Sequence, residues 1–182
     1  QADDREGLMG YIQKTFPVQG GKTYGFTALR KTEGIDLVRR AGAARLIWLD
    51  QQGKRVLRDK PSFASYRPGE HPRAEPEFPA DQETNSGWTK VTGTYRAPLQ
   101  AAQVQIELHF RWGPPQSQIE WCNISFKQTE DLKPRIVRLA TIHYRPQDGK
   151  KPNDKPAQFA NLIEQAAQQK ADLVVLPESI TV

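Results

Sequence analysis

Between Ala102 and Trp112 the chain reads AQVQIELHFRW, in which Val104, Ile106, Leu108, Phe110 and Trp112 alternate with Gln103, Gln105, Glu107, His109 and Arg111. A strict period of two over this length predicts a β-strand with one face buried and the other wet. Pro114 and Pro115 end it, since proline has no N–H to give a ladder.

The same grammar recurs. Lys22 to Lys31 places Tyr24, Phe26 and Ala28 on one face, behind a Gly20-Gly21 turn. Ala43 to Asp50 is apolar on both faces, as a central sandwich strand would be, and Gln51-Gln52-Gly53 turns it toward a short partner, Arg55 to Leu57. Trp88 to Arg96 forms another strand, stopped by Pro98. Ile119 to Gln128 follows, with Cys122, Ile124 and Phe126 on its inner face. With no helical stretch between them, these runs predict a mainly β fold, an antiparallel two-sheet sandwich over residues 1–130. Arg58 to Ser86 holds Pro61, Pro68, Pro72, Pro76 and Pro79 and reads as one long loop, either a rim over a ligand site or a disordered crossing.

After Asp131 the pattern changes. Residues 131–134 read as a linker. Arg135 to Ile142 predicts a buried strand, and Pro156 to Ala171 a helix with Phe159, Leu162, Ile163, Ala166 and Ala167 on one stripe. Asp154 caps that helix and Pro156 sits in its first turn. Asp172 to Pro177 is a second apolar strand. Strand, helix and strand make a βαβ unit, which calls for a parallel sheet covered by helices. Residues 135–182 therefore read as the truncated start of an α/β domain. The ends agree with this expectation: Gln1 opens the chain without a signal pattern, and Val182 follows closely on an apolar run.

Composition narrows the partners. At 37% hydrophobic and 26% charged, the chain has enough apolar content for a core. No run approaches the roughly 20 apolar residues of a spanning helix, so no membrane partner is expected. The net charge of +5 is spread along the chain, and its densest basic group, Arg39-Arg40 with Arg45, is too sparse for a nucleic-acid footprint. One cysteine excludes an intramolecular disulfide, and three scattered histidines make no zinc cluster. Neither metal nor cofactor is expected, and the compartment stays open.

Two resemblances add function. RIVRLATIHYRP, followed by FANLIEQAAQQKADLVVLPE, resembles the opening of the nitrilase superfamily of carbon–nitrogen hydrolases. That likeness implies that Glu178 is the general base of a Glu–Lys–Cys triad, deprotonating a cysteine that attacks an amide or nitrile and passes through a thioester. It implies a small amide or nitrile substrate and a homo-oligomer for the longer protein. The alternative for Glu178 is a carboxylate that merely solvates a strand end. Family order puts the lysine and cysteine after the glutamate. Cys122 therefore reads as a small core thiol and Lys170 as a solvated helix end, and residues 1–182 alone should be inactive.

The segments QKTFPVQGGKTYGFTA, WTKVTGTYRAP and IEWCNISF more loosely resemble jelly-roll carbohydrate-binding modules. Such modules often carry an acidic residue where this chain has Cys122-Asn123, which sets aside a metal role there. A glycan is the partner this resemblance implies, because aromatic faces stack on sugar rings. The aromatic candidates are Trp48, Tyr66, Trp88, Trp112 and Trp121. Trp88 and Trp112 are expected in the core; Tyr66 is expected to be exposed on its loop. The wet row Gln105, Glu107, His109 and Arg111 either lines a sugar-binding surface or is an ordinary solvent-facing strand. His71 and His143 read as surface or packing residues. Two classes follow: a carbon–nitrogen hydrolase carrying a binding module, or a non-catalytic carbohydrate-binding or structural sandwich.

Overall fold

The alternating runs fold as two antiparallel sheets. In the computed structural model, which describes residues 2–60, 71–146 and 154–178, the chain divides into two units, Gln1–Leu132 and Lys133–Val182. The first unit contains β1 (Leu8–Pro17), β2 (Thr23–Glu33), a single helical turn α1 (Val38–Ala41), β3 (Ala44–Leu49), β4 (Ala80–Asn85), β5 (Trp88–Arg96), β6 (Gln103–Gly113) and β7 (Gln118–Gln128). One sheet runs β1-β6-β3 and the other β4-β5-β2-β7.

Their facing residues make the core. Leu46, Trp48, Val104 and Ile106 of the first sheet meet Phe26, Ala28 and Val91 of the second, all deeply buried. Burying a large apolar side chain of this kind stabilises by about 1.5–3 kcal/mol. Tyr24 stacks on Phe126 with ring centroids 5.1 Å apart and planes 7° apart. Gly20 is required where the chain passes Pro98-Leu99, since a Cβ there would lie 2.1 Å from the Leu99 carbonyl oxygen.

Several expectations change. Ala44–Leu49 is not central but flanks β6, and its outer margin is covered by the isolated bridges Leu46–Glu77 and Leu49–Arg55. Part of the proline-rich loop is ordered as β4, and β1 is an additional strand. Strand β1 forms the edge of its sheet, with Ile12 exposed and the Lys14 ammonium 5.2 Å from the centre of the Phe16 ring.

In β7 the period of two breaks. Thr27 pairs with Ser125 and Leu29 with Cys122, so Asn123 and Ile124 together oppose Ala28. Asn123 takes φ 51°, the left-handed conformation that asparagine tolerates. The bulge keeps Phe126 and Trp121 against the core, exposes Ile124 and turns Cys122 to the side of Leu29. Cys122 is half-buried and not a core thiol. Trp112 departs from its expected place as well: its φ is 51° and its ring is exposed.

The second unit pairs β8 (Leu139–Thr141) with β9 (Leu173–Val175) in parallel, with α2 (Asp154–Ala157) and α3 (Ala160–Gln168) between them. The expected single helix is interrupted at Gln158-Phe159. Phe159 and Ala166 are buried, whereas Ile163 and Ala167 are exposed, so the apolar stripe is narrower than its sequence spacing. Lys170 closes α3 in the left-handed conformation, φ 59°. Its N–H donates to the Ala167 carbonyl and the Ala171 N–H to that of Ala166, the paired bonds of a Schellman cap. The first strand is shorter than Arg135–Ile142 and is not buried: Ile136 is 95% and Leu139 60% exposed. Leu173 and Val175 of the partner strand are exposed as well.

Candidate ligand-binding face

Strand β6 is central in the three-stranded sheet, so both of its edges are paired. Its register sets Tyr11 opposite His109, Gln13 opposite Glu107 and Thr15 opposite Gln105 on β1, and Arg45 opposite Glu107 on β3. Side chains directly opposite across an antiparallel pair share a face with Cβ atoms about 5 Å apart. Tyr11, Gln13, Arg45, Gln105, Glu107 and His109 therefore gather on the face turned away from the core.

That row is not wet. Glu107 is 2% and His109 4% exposed, and Gln105 and Arg111 are half-buried. The expected solvent-facing strand is corrected by a network that replaces water at the carboxylate. Glu107 Oε2 accepts from Arg45 Nε at 2.7 Å, Arg45 Nη2 at 2.6 Å and His109 Nε2 at 2.7 Å. Glu107 Oε1 accepts from Gln105 Nε2 at 2.6 Å. A buried carboxylate is tolerated when its lone pairs are filled in this way. The exposed Tyr11 ring lies 5.0 Å from the His109 ring, tilted by 38°.

Burial alone would raise the Glu107 carboxyl, but hydrogen bonds from His109, Gln105 and Arg45 outweigh it and hold it below the usual range. Burial, helped by the charges of Arg111 and Arg45, lowers His109 despite its bond to Glu107. The neutral imidazole donates from Nε2 to the carboxylate. Both folded-state values lie below the ordinary ones of 6.5 and 4.5. Each group therefore adds stability that is present above its ordinary value and lost as the pH falls through its folded value. Thermal melts between about pH 8 and pH 4 should show stability falling first below pH 6.5 and again below pH 4.5. His109→Gln should remove the first decline, and Glu107→Gln the second.

The other predicted residues lie elsewhere. Trp48 is 2% exposed on the core side of β3, which overturns its place among ligand residues. Its indole N–H donates to Glu77 Oε1 at 3.3 Å. Tyr66 lies outside the described residues. Glu178 is exposed, just past β9 in the second unit. Among the described residues no group of His, Cys, Asp and Glu is arranged to hold a metal ion. Tyr11 and Arg45 were missed from sequence, although Tyr11, Gln13 and Thr15 alternate with Ile12, Lys14 and Phe16, and Arg45 is the lone charge in an apolar run.

No protein-family profile matches the chain, and no curated protein matches it. Nothing beyond its own residues therefore speaks for the carbon–nitrogen hydrolase resemblance. Among solved structures, the chain is similar to the CBM22-1 and GH10 modules of the Clostridium thermocellum endo-1,4-beta-D-xylanase 10B, complexed with xylohexaose. That match covers 91% of this chain at 12% identity and a TM-score of 0.39. This chain spans 28% of the length of the xylanase chain. The likeness is slight.

Proposed function

We propose that residues 1–132 form a non-catalytic glycan-binding sandwich whose ligand lies on the outer face of β1, β6 and β3. One observation carries this reading: the buried Glu107 carboxylate holds Arg45, Gln105 and His109 in fixed positions beside the exposed Tyr11 ring. A sugar ring offers an apolar C–H face and a rim of hydroxyls. The first fits an aromatic plate, and the second fits polar groups whose rotamers are set before the ligand arrives. The Arg45 side chain is 26% exposed, which leaves part of its N–H fork open to a ligand.

Binding is favoured over cleavage. Glycosidases use two carboxyl groups about 5–10 Å apart. On the outer face of these three strands Glu107 is the only carboxylate, and its oxygens are already filled. Affinity electrophoresis in gels containing xylan, mixed-linkage β-glucan, mannan or pectin tests the proposal. At least one polysaccharide should retard the chain, and Tyr11→Ala should weaken that binding about tenfold or more. No retardation by any of them, or equal retardation of the variant, would overturn it.

A second reading concerns residues 133–178. There the sequence resemblance alone proposes Glu178 as the general base of a carbon–nitrogen hydrolase; the parallel β8–β9 pair, the helices between them and the exposed Glu178 just past β9 are compatible with it. This requires a lysine and a cysteine beyond Val182, so sequencing the transcript past that codon decides it. Their absence would sink the hydrolase.

A further inference from the structure

A cavity of about 260 Å³ opens where the end of β6 meets the connection from β2 to β3. It is lined by Ile35, Asp36, Leu37, Arg40, Trp112 and Pro114. Two features mark it off from ordinary loop packing.

The first is Trp112. At φ 51° its backbone occupies the left-handed region, which a bulky residue enters only at a cost. Arg111 and Trp112 together oppose Met9, a β-bulge that sets this backbone, and it leaves the residue 55% exposed, so core burial does not account for the indole's position. The Arg40 guanidinium lies over the ring, 5.6 Å from its centre, and restrains the indole while Trp112 stays more than half exposed.

The second is an open pair of polar groups. The Asp36 carboxylate and the Arg40 guanidinium line the cavity and are both exposed to water; among the described residues neither side chain makes a hydrogen bond or an ion pair, Arg40 meeting only the Trp112 ring. A carboxylate and a guanidinium with free valences, beside an aromatic plate and the apolar Leu37, form a donor and acceptor set of nearly zero net charge. Vicinal hydroxyls on a sugar both donate and accept, so they answer both forks at once while the ring's C–H face rests on the indole. A lone anion or cation would satisfy one group and be repelled by the other. The volume lies below the 300–1,000 Å³ typical of drug-sized ligands, so it suits a single ring.

We infer that this cavity is a second carbohydrate site, taking one neutral sugar ring. It rests on the glycan reading of the sandwich for its ligand class, yet shares no residue with the Tyr11 face. Strand geometry puts Glu107 and Trp112 about 17 Å apart along β6. The two surfaces therefore engage separate sugar units.

The test is a two-dimensional NMR titration of the full 182-residue chain, reading its four tryptophan indole N–H signals. The probes are glucose, xylose, mannose, galactose, cellobiose and xylobiose. The Trp112 signal, assigned by its loss in Trp112→Gly, should move saturably with at least one of them, with Kd on the order of 1 mM. Glycine relieves the positive φ, so that variant should fold. Asp36→Asn should weaken the response about tenfold, and Tyr11→Ala should leave it unchanged. The proposal is overturned if no sugar moves the signal up to about 50 mM. It is also overturned if free arginine or glutamate moves it as strongly as sugar, or if Tyr11→Ala abolishes the response. Loss of polysaccharide retardation with a surviving Trp112 response would remove the sheet-face site alone and leave this one standing.

Discussion

Trp48→Ala is expected to lower the unfolding free energy of the sandwich by about 4 kcal/mol. That is a large part of the roughly 5–15 kcal/mol by which domains are stable. The indole is 2% exposed, sits opposite Val104 in the ladder and lies 6.4 Å from the Tyr24 ring. Truncation leaves a cavity between the sheets that neighbouring strands, fixed by their own ladders, fill poorly. It also removes the N–H that Glu77 accepts; burial already raises that carboxyl, so losing its donor adds to the cost. Urea unfolding checks the stability, and titration under native conditions checks binding. The folded fraction should keep its affinity, because the ring and the proposed ligand face lie on opposite sides of β3. A variant of near-normal stability that no longer binds glycan would return Trp48 to the ligand surface.

Glu107→Ala should cost about 3 kcal/mol and abolish binding at the sheet face. The loss has little to do with methylene burial. Removing the carboxylate leaves the Arg45 guanidinium, three-quarters buried, without its counter-charge, and deprives Gln105 and His109 of their acceptor. A paired replacement separates the two consequences. Changing Arg45→Met together with Glu107→Leu removes both charges, and such exchanges are often neutral in stability, so the double variant should fall within about 1 kcal/mol of the unmodified chain. It should still fail to bind. Recovery of both properties would mean that the network serves folding alone.

Period-two alternation made β2, β5 and β6 legible, because a sheet with one face on a core writes its geometry directly into the order of residues. The same rule misread the outer row of β6. Glu107 and His109 are polar, and polarity in sequence is taken for solvent. Their burial depends on Arg45 arriving from β3, some sixty residues away and visible only once the register is known. Cys122 and Ile124 were misplaced because a bulge at Asn123 resets the phase, and its one mark in IEWCNISF is an asparagine, a residue equally at home in an unbulged strand's polar positions. Trp48 was ambiguous for a different cause. A large aromatic serves a core and a sugar face equally well, and which side of β3 it takes follows from its partner Val104.

The unpaired margin of β1 bears on how the protein behaves at high concentration. Such a margin offers a row of free backbone groups to any passing extended chain, the first step of edge-to-edge aggregation. Lys14 stands on the same side of that strand as Phe16 and the core, opposite Ile106, with its ammonium still in reach of water. An added strand would have to seal that charge against apolar neighbours. One lysine thus keeps the sheet at three strands and favours the molecule remaining dispersed.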